Sequence, residues 1–437
     1  MKILILDPER NVTHRISKDT SGGYGTGNNF GDTFVPRFLK KTLKKTHDWP
    51  PLFALYTMSV LKQNNHYVDY RKKIPKDFDK YDLFIVVSSI VCCETECEYI
   101  EKLTKLKKRV YAIGPFATNL PQKYYEAGAI VIQGEPEFYF LQNKNFYLNN
   151  NNKIISFNHN FNLDDLPYPD WNSVTENKKT SILFGNEKSL PILATRGCPY
   201  SCFKYCVYPL QQGRKPRHRH PKLIVDELEY WNKSFNVKMF IFRDPVFSIN
   251  KNHTIEFCKE LINRNLKIKF IIETHLRILD TDLIKLLKKA GLKAAKVGIE
   301  SYDADVLKAS GRFSVTTDQQ LEKIRELEQN KVQVSAMYIL GFPTDTEETI
   351  FKTINYAKKL NTTYAQFSVW TPYPGTPVFE EFKAKITAKK YDEFDQYNLV
   401  FKHQNLNQKD IRQYLSKAYT LYYFRLSWLL KFVKSFI

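Results

Sequence analysis

Between Leu190 and Trp370 apolar runs alternate with amphipathic stretches in a regular order, and few folds accommodate that order. Strands read at Leu190–Thr195, Lys238–Arg243, Lys267–Glu273, Ala294–Ile299, Gln333–Leu340 and Tyr364–Trp370. Helical patterns separate them: Pro221–Phe235, His253–Asn263, Thr281–Ala290 (stopped at Gly291), Ala304–Ala309 with Thr317–Gln329, and Thr346–Leu360. Eight strand–helix units close a full barrel. Six predict an open, partial (β/α)6 TIM-type barrel, whose chemistry belongs at the carboxyl ends of its strands. Those ends carry a cysteine loop, Asp244, Glu273 with His275, Glu300 with Ser301, Gly341 with Pro343, and Thr371.

The first third alternates in the same way. Lys2–Leu6, Tyr67–Tyr70, Asp82–Ser89, Arg109–Pro115 and Ala129–Glu137 read as strands, with helices at Phe53–Gln63 and Glu94–Lys107. This predicts an α/β domain with a doubly wound, Rossmann-like parallel sheet. Ligands of such sheets lie beyond the carboxyl ends of the strands. Ser88, Ser89, Gly114, Pro115, Gly134 and Glu135 fall there. A loop is read from Asp7 to Asp48, with five glycines between Ser21 and Asp32 that let backbone amides approach a ligand. The expected division is a first domain at 1–150, a linker at 151–189, the barrel at 190–385 and a helical C-terminal extension at 386–437. The linker holds the polar tract Asn149–Asn152 at its start and an aromatic-proline segment ending at Trp171.

The loop Arg196-Gly197-Cys198-Pro199-Tyr200-Ser201-Cys202-Phe203-Lys204-Tyr205-Cys206 follows the first barrel strand. Three thiolates suit a [4Fe–4S] cluster held by three irons, leaving the fourth iron open to a ligand. Zinc, with His218 or His220 as a fourth ligand, and unliganded thiols are the competing readings. Cys92, Cys93 and Cys97 form a second group, more in keeping with buried packing residues than with a second cluster.

Seven cysteines, an odd count, fit a reducing, cytoplasmic setting. No apolar run is long enough for a membrane span, and Met1–Leu6 does not read as a signal peptide. The net charge of +20 favours an acidic partner or surface. The lysines form no stripe and no recognition helix is evident, so no nucleic acid is expected.

The cysteine loop with its leading Arg-Gly resembles the radical S-adenosylmethionine (SAM) enzymes, specifically those with an N-terminal cobalamin-binding-type domain. The resemblance spans roughly residues 1 to 385. The usual spacing there is C-x3-C-x2-C, whereas this chain has C-x3-C-x3-C. The family's Asp-x-His-x-x-Gly motif is absent. The resemblance implies three cofactors: a [4Fe–4S] cluster on Cys198, Cys202 and Cys206, SAM, and cobalamin. It implies SAM contacts from Tyr205, Phe242-Arg243-Asp244-Pro245, Glu273, Gly298-Ile299-Glu300-Ser301 and Gly341-Phe342-Pro343, and a closing loop at Thr371–Pro377. For cobalamin it implies Ser88, Ser89, Gly114, Gly134 and Glu135.

The activity so implied is reductive cleavage of SAM to a 5′-deoxyadenosyl radical, followed by cobalamin-dependent methylation at carbon. A cyclase or rearrangement enzyme without methyl transfer is the nearest alternative. An iron–sulfur nucleic-acid-binding protein and a methylthiolating enzyme are more distant ones. Expected partners are a small-molecule or biosynthetic substrate and an electron donor such as flavodoxin or ferredoxin. The helical pattern from Ile411 to Ile437, rich in aromatic and basic residues, is read as docking on the barrel, with peripheral membrane contact as its rival.

Overall fold

The computed structural model describes residues 1–44, 49–148, 154–157, 161–174 and 187–434. The tract Asn149–Asn152 and residues 435–437 lie outside them. In chain order, β1 (Lys2–Leu6) is followed by a ribbon of β2 (Ile16–Ser17) and β3 (Thr26–Gly27), then by helices α1 (Phe34–Lys44) and α2 (Leu52–Gln63). Next come β4 (Tyr67–Arg71), β5 (Leu83–Val87), α3 (Cys93–Lys105) and β6 (Arg109–Ile113). The unit ends with α4 (Pro115–Asn119), α5 (Pro121–Glu126), β7 (Ile130–Gly134), α6 (Pro136–Gln142) and β8 (Ile154–Phe157).

Six of these strands pair in parallel in the order β4-β1-β5-β6-β7-β8. The order reverses between β1 and β5, which makes that gap the topological switch point. β5 is apolar and buried at every position because helices cover both faces. Several features differ from the sequence expectation, among them helices α4, α5 and α6, the first and last of which begin at prolines read as strand residues. The stretch read as loop to Asp48 contains the ribbon and α1, and the stretch read as linker contributes β8. Two-residue strands are too short to show a period, and four lysines and arginines mask the apolar spacing of α1.

The second sheet begins with β9 (Ser189–Ile192). A short antiparallel ribbon, β10 (Thr195–Arg196) with β11 (Arg217–His218), then closes the cysteine loop, which includes α7 (Tyr208–Gln212). The remaining units are α8 (Pro221–Phe235), β12 (Met239–Phe242), α9 (Lys251–Asn263), β13 (Lys269–Thr274), α10 (Thr281–Ala290) and β14 (Leu292–Glu300). They continue with α11 (Ala304–Ala309), α12 (Thr317–Gln329), β15 (Gln333–Leu340), α13 (Glu347–Leu360) and β16 (Tyr364–Val369). The order β16-β15-β14-β13-β12-β9, all parallel, is an open half-barrel of six strands.

An open barrel leaves β16 as an edge with unpaired backbone groups. After α14 (Pro377–Phe382), the C-terminal helices α15 (Gln408–Tyr423) and α16 (Leu426–Lys434) meet that need. The Tyr419 hydroxyl accepts from Phe367 N (3.1 Å) and donates to Phe367 O (2.9 Å). The Tyr423 hydroxyl does the same at Ala365, at 3.0 and 2.7 Å. Helix α15 thus replaces a seventh strand with side-chain hydroxyls.

Candidate functional site

The cysteine loop is pinned at its base. Gly197 has φ +91°, and a Cβ there would lie 2.3 Å from Lys215 O, so only glycine fits the turn. Cys198 N donates to Gly213 O (3.2 Å), while Tyr205 N and Cys206 N both donate to Cys202 O (3.1 and 3.0 Å). Cys198 and Cys202 are buried and Cys206 is half-buried. The neighbouring Cys206 thiol, together with the Arg312 guanidinium, lowers the Cys202 thiol to about 6; burial raises Cys198 to about 11. Among the described residues, no three His, Cys, Asp or Glu side chains already converge as a metal-ligand group. His220 is used otherwise, accepting from Lys222 N to cap α8 (3.3 Å), and the His218 ring lies against that of His253 (4.9 Å).

Arg196, at the head of the loop, anchors it to the first domain. It pairs with Glu135 (2.6 Å) and Glu137, and Arg217 forms a two-point pair with Glu135 at 2.8 and 2.9 Å. All four are largely buried, so the pairing sets the register between the two sheets.

A cavity of about 400 Å³ lies at the carboxyl end of the half-barrel, with one wall from the β2–β3 region. Within the strands the barrel side alternates, and from the end of β16 Val369, Trp370 and Thr371 add a continuous edge. Ile241 and Arg243, Ile271 and Glu273, Lys296 and Glu300, Met337 and Ile339, and Gln366 and Ser368 line it. Successive strand residues point to opposite faces, so every second residue faces inward. Tyr205, Cys206 and Tyr208 add the edge of the cysteine loop. The opposite wall carries Arg15, Ser17, Thr20, Ser21, Thr26 and Asn28.

Of the residues singled out from the sequence, Tyr205, Cys206, Arg243, Glu273, Glu300 and Thr371 therefore share one cavity. Burial pushes the Glu273 carboxyl up, opposed by Lys296 and Arg243. Burial lowers the Lys296 ammonium, with Arg243 acting in the same direction. Arg243 reaches across to pair with Asp19 of the first domain. Glu300 sits at φ +66°, at a register shift between Gly298 and Glu300. A bulge and a left-handed non-glycine residue at a strand end are devices that re-aim a side chain. Arg312 links this corner to the cluster loop: its guanidinium donates to Gly298 O (3.1 Å), lies 3.5 Å from Glu300 Oε1 and 3.7 Å from Cys202 Sγ. Arg243 was named only within the stretch Phe242–Pro245, and Lys296 and Arg312 were not picked out as ligands from sequence. Lys296 was legible, being a charge in a buried strand on the face that carries Glu300.

Other predicted residues stand elsewhere. Asp244 is one residue out of phase with the inward face. It is fully buried, accepts from Ala194 N (2.8 Å), and burial raises it to about 7. Ser301, also out of phase, contacts Thr353 Oγ1 (3.2 Å) and accepts from Asp303 N (3.2 Å). Gly341 lies past the strand end, and a Cβ there would meet Ile411 of α15 at 2.8 Å.

The residues at the first sheet's strand ends do not line the cavity either. Ser88 Oγ accepts from Ala117 N (2.9 Å), and Ser89 Oγ donates to Glu96 (2.8 Å). Gly114 faces Phe53, and a Cβ on Gly134 would lie 1.9 Å from Phe157 O. Glu135 is bound by the two arginines. The switch point itself is filled by Lys18, whose ammonium pairs with Asp7 at the end of β1 (2.8 Å) and Glu96 (2.7 Å) and donates to Val87 O at the end of β5 (3.2 Å). Burial opposes that charge, but Asp7 and Glu96 outweigh it and hold the ammonium above its ordinary range. Cys92, Cys93 and Cys97 are buried in the core of this domain.

A half-barrel of six parallel strands with a three-cysteine loop after the first strand defines a class, and residues 192–357 match the radical SAM superfamily model. This segment is a radical SAM domain. Over 274 residues the chain is 27% identical to an uncharacterized methyltransferase of Pyrococcus horikoshii, covering 62% of this chain and 58% of that protein. It is 32% identical over 234 residues to the anaerobic magnesium-protoporphyrin IX monomethyl ester cyclase of Rubrivivax gelatinosus, covering 53% of this chain and 41% of the cyclase. The chain thus spans less than two thirds of the length of either relative. In fold it is similar to the radical SAM methyltransferase TsrM of Kitasatospora setae, solved with cobalamin and a [4Fe–4S] cluster bound. The TM-score is 0.67 at 13% identity, over 95% of this chain and 87% of that one.

Proposed function

We propose that the chain is a radical SAM enzyme that carries out cobalamin-dependent methylation at carbon on a small-molecule substrate. The observation that carries the reading is the single cavity shared by Cys206, Tyr205, Arg243, Glu273, Lys296 and Glu300. The donor set fits the groups concerned. Cys198, Cys202 and Cys206 are the thiolates that would hold a cluster. Tyr205 has a buried hydroxyl with no partner, and Glu300 is a half-buried carboxylate answered by one arginine at 3.5 Å. Such carboxylates suit a sulfonium amino acid carrying an ammonium and ribose hydroxyls.

When bound, cluster and SAM together supply a 5′-deoxyadenosyl radical. The chain's own part is to bind, orient and exclude water. Arg312 holds the Cys202 thiolate and Glu300 in fixed relation. Glu273 and Lys296 set the charge inside the barrel, and residues from 15 to 28 form the wall opposite them.

The strand-end crevice of the first sheet is closed by Lys18, so the cobalamin part rests on the cavity wall. Ser17, Thr20, Ser21, Thr26 and Asn28 present hydroxyl and amide groups suited to an amide-edged ring. The second reading is cyclisation without methyl transfer, favoured by the 32% identity to the Rubrivivax cyclase. An electron donor of the flavodoxin or ferredoxin type, a cytoplasmic location, and peripheral membrane contact through the C-terminal helices belong to the same proposal. No helix among the described residues is long and apolar enough to cross a membrane.

The test is anaerobic reconstitution with iron, sulfide and hydroxocobalamin, followed by SAM and a strong reductant. 5′-Deoxyadenosine is expected, and Cys202→Ala should abolish it. S-adenosylhomocysteine formed alongside marks methyl transfer; its absence with substrate turnover favours cyclisation. A folded protein that binds no iron overturns the proposal.

A further inference from the structure

Half of the large apolar side chains exposed among the described residues, eight of sixteen, lie on α1, the last turn of α15 and α16. Single exposed apolar groups are ordinary, whereas a concentration marks a contact surface. On α1, Phe34 is 81% exposed and Phe38 61%, one helical turn apart. Arg37, Lys41 and Lys44 share their exposed face. At the end of α15 the exposed pair is Leu421 and the C-cap residue Phe424. On α16, Leu426, Leu429, Leu430 and Val433 recur at helical spacing on the outer face, while Trp428 packs inward on Tyr423 (4.9 Å).

The helices come from opposite ends of the chain but form one surface. Thr33 and Thr420 hydroxyls are 2.9 Å apart, and Arg412 binds Asp32 (2.8 Å), which brings the start of α1 against α15. The charge is of one sign. From Thr33 to Lys44 there is no acidic residue and four basic ones, and from Ile411 to Lys434 none against five. An apolar face flanked mainly by cations, with Asp32 and Glu328 as the acidic neighbours that pair with Arg412 and Lys431, on helices too short to span, is the chemistry that lies on an anionic bilayer. A second copy of the chain would bring the same positive charge to the contact and is the poorer fit.

We infer that α1, the end of α15 and α16 form a single docking face for an anionic lipid bilayer. The face deepens the membrane contact raised above, and adds α1 to it. Leu43, near the end of α1, lines the cavity, so docking holds the proposed active site beside the bilayer.

The experiment is co-sedimentation of the intact chain with phosphatidylcholine vesicles with and without phosphatidylglycerol. The chain is expected to pellet with the anionic vesicles and much less with the neutral ones. Phe34→Glu with Phe38→Glu, and separately Leu429→Glu with Leu430→Glu, should each lower partitioning at least about tenfold. All four positions are exposed, so circular dichroism and iron content should match the parent. A parent that pellets with neither vesicle, or variants that pellet like the parent, overturns the inference. So does a dimer in light scattering that the Phe34/Phe38 variant splits, which would assign the face to a second copy. Vesicle binding does not depend on turnover, so loss of 5′-deoxyadenosine chemistry with binding intact would fail the functional proposal and leave this one standing.

Discussion

The two parallel sheets present their carboxyl ends to the same interface and use them in opposite ways. Topology marks both as ligand sites. At the half-barrel, alternate side chains Arg243, Glu273, Lys296 and Glu300 open onto a cavity. At the first sheet, Lys18 occupies the switch point, Phe53 and Phe157 lie against the strand-end glycines, and Glu135 is committed to Arg196 and Arg217. Both ends are rich in polar residues, so polarity does not separate them. The difference is whether another segment of the chain fills the crevice. The stretch containing β2 and β3 does both jobs, sending Lys18 into one sheet and forming the wall of the other's cavity.

The strongest way to break this contrast is Lys18→Met. If Lys18 is a structural plug, Asp7 and Glu96 are left buried without their cation, and urea denaturation should show a loss of about 3–5 kcal/mol. A variant of unchanged stability that gains affinity for cobalamin would make the crevice a ligand site after all.

Asp244→Asn probes the outward face of the barrel. Burial raises Asp244 from 3.8 to about 7, so its folded pKa lies above its unfolded one. Its contribution to stability is then complete below about pH 4 and is lost as pH rises to about 7. The asparagine keeps an oxygen for Ala194 N but does not ionise. Thermal melts from acid to neutral pH should therefore decline less in the variant, by up to roughly 4 kcal/mol at the upper end. Its SAM affinity should match the parent.

Glu300→Gln tests the inward face. A charge-assisted contact is worth about 1.5–3 kcal/mol, so SAM affinity measured by equilibrium dialysis should fall about 10- to 150-fold with little change in melting. The smallest effect is Tyr419→Phe. It removes the hydroxyl that both donates to and accepts from Phe367, and should cost about 1–3 kcal/mol in denaturant melts with iron content unchanged.

The fold was largely legible because strand–helix alternation repeats over short distances. The helix Pro221–Phe235 falls where its pattern predicts, and all six barrel strands appear in order. What escaped was short or disguised: β2, β3, β10 and β11 at two residues each, the short helices α4 to α7 and α14, α1 under its lysines, and β8 beside the asparagine tract. At the site, Cys206, Glu273, Glu300 and Thr371 were found by position after a strand and Tyr205 by the resemblance of its loop; Asp244 and Ser301, also found after strands, face away. A period of two, counted back from Glu300 to Lys296 and from Arg243 to Ile241, separates the two groups. A strand's end is visible in sequence, but its inward face is certain only when its neighbours are known.

The sequence by itself determined the order of the barrel's strands and main helices, the six-unit half-barrel and the three cysteines after its first strand, because hydrophobic period and residue spacing are local properties. Only the tertiary structure decided that Lys18 closes the first sheet, that Arg196 ties the cysteine loop to Glu135 and Glu137, and that α1 meets α15. Each of those contacts joins segments far apart in the chain, and which pairs meet is set by how whole elements pack.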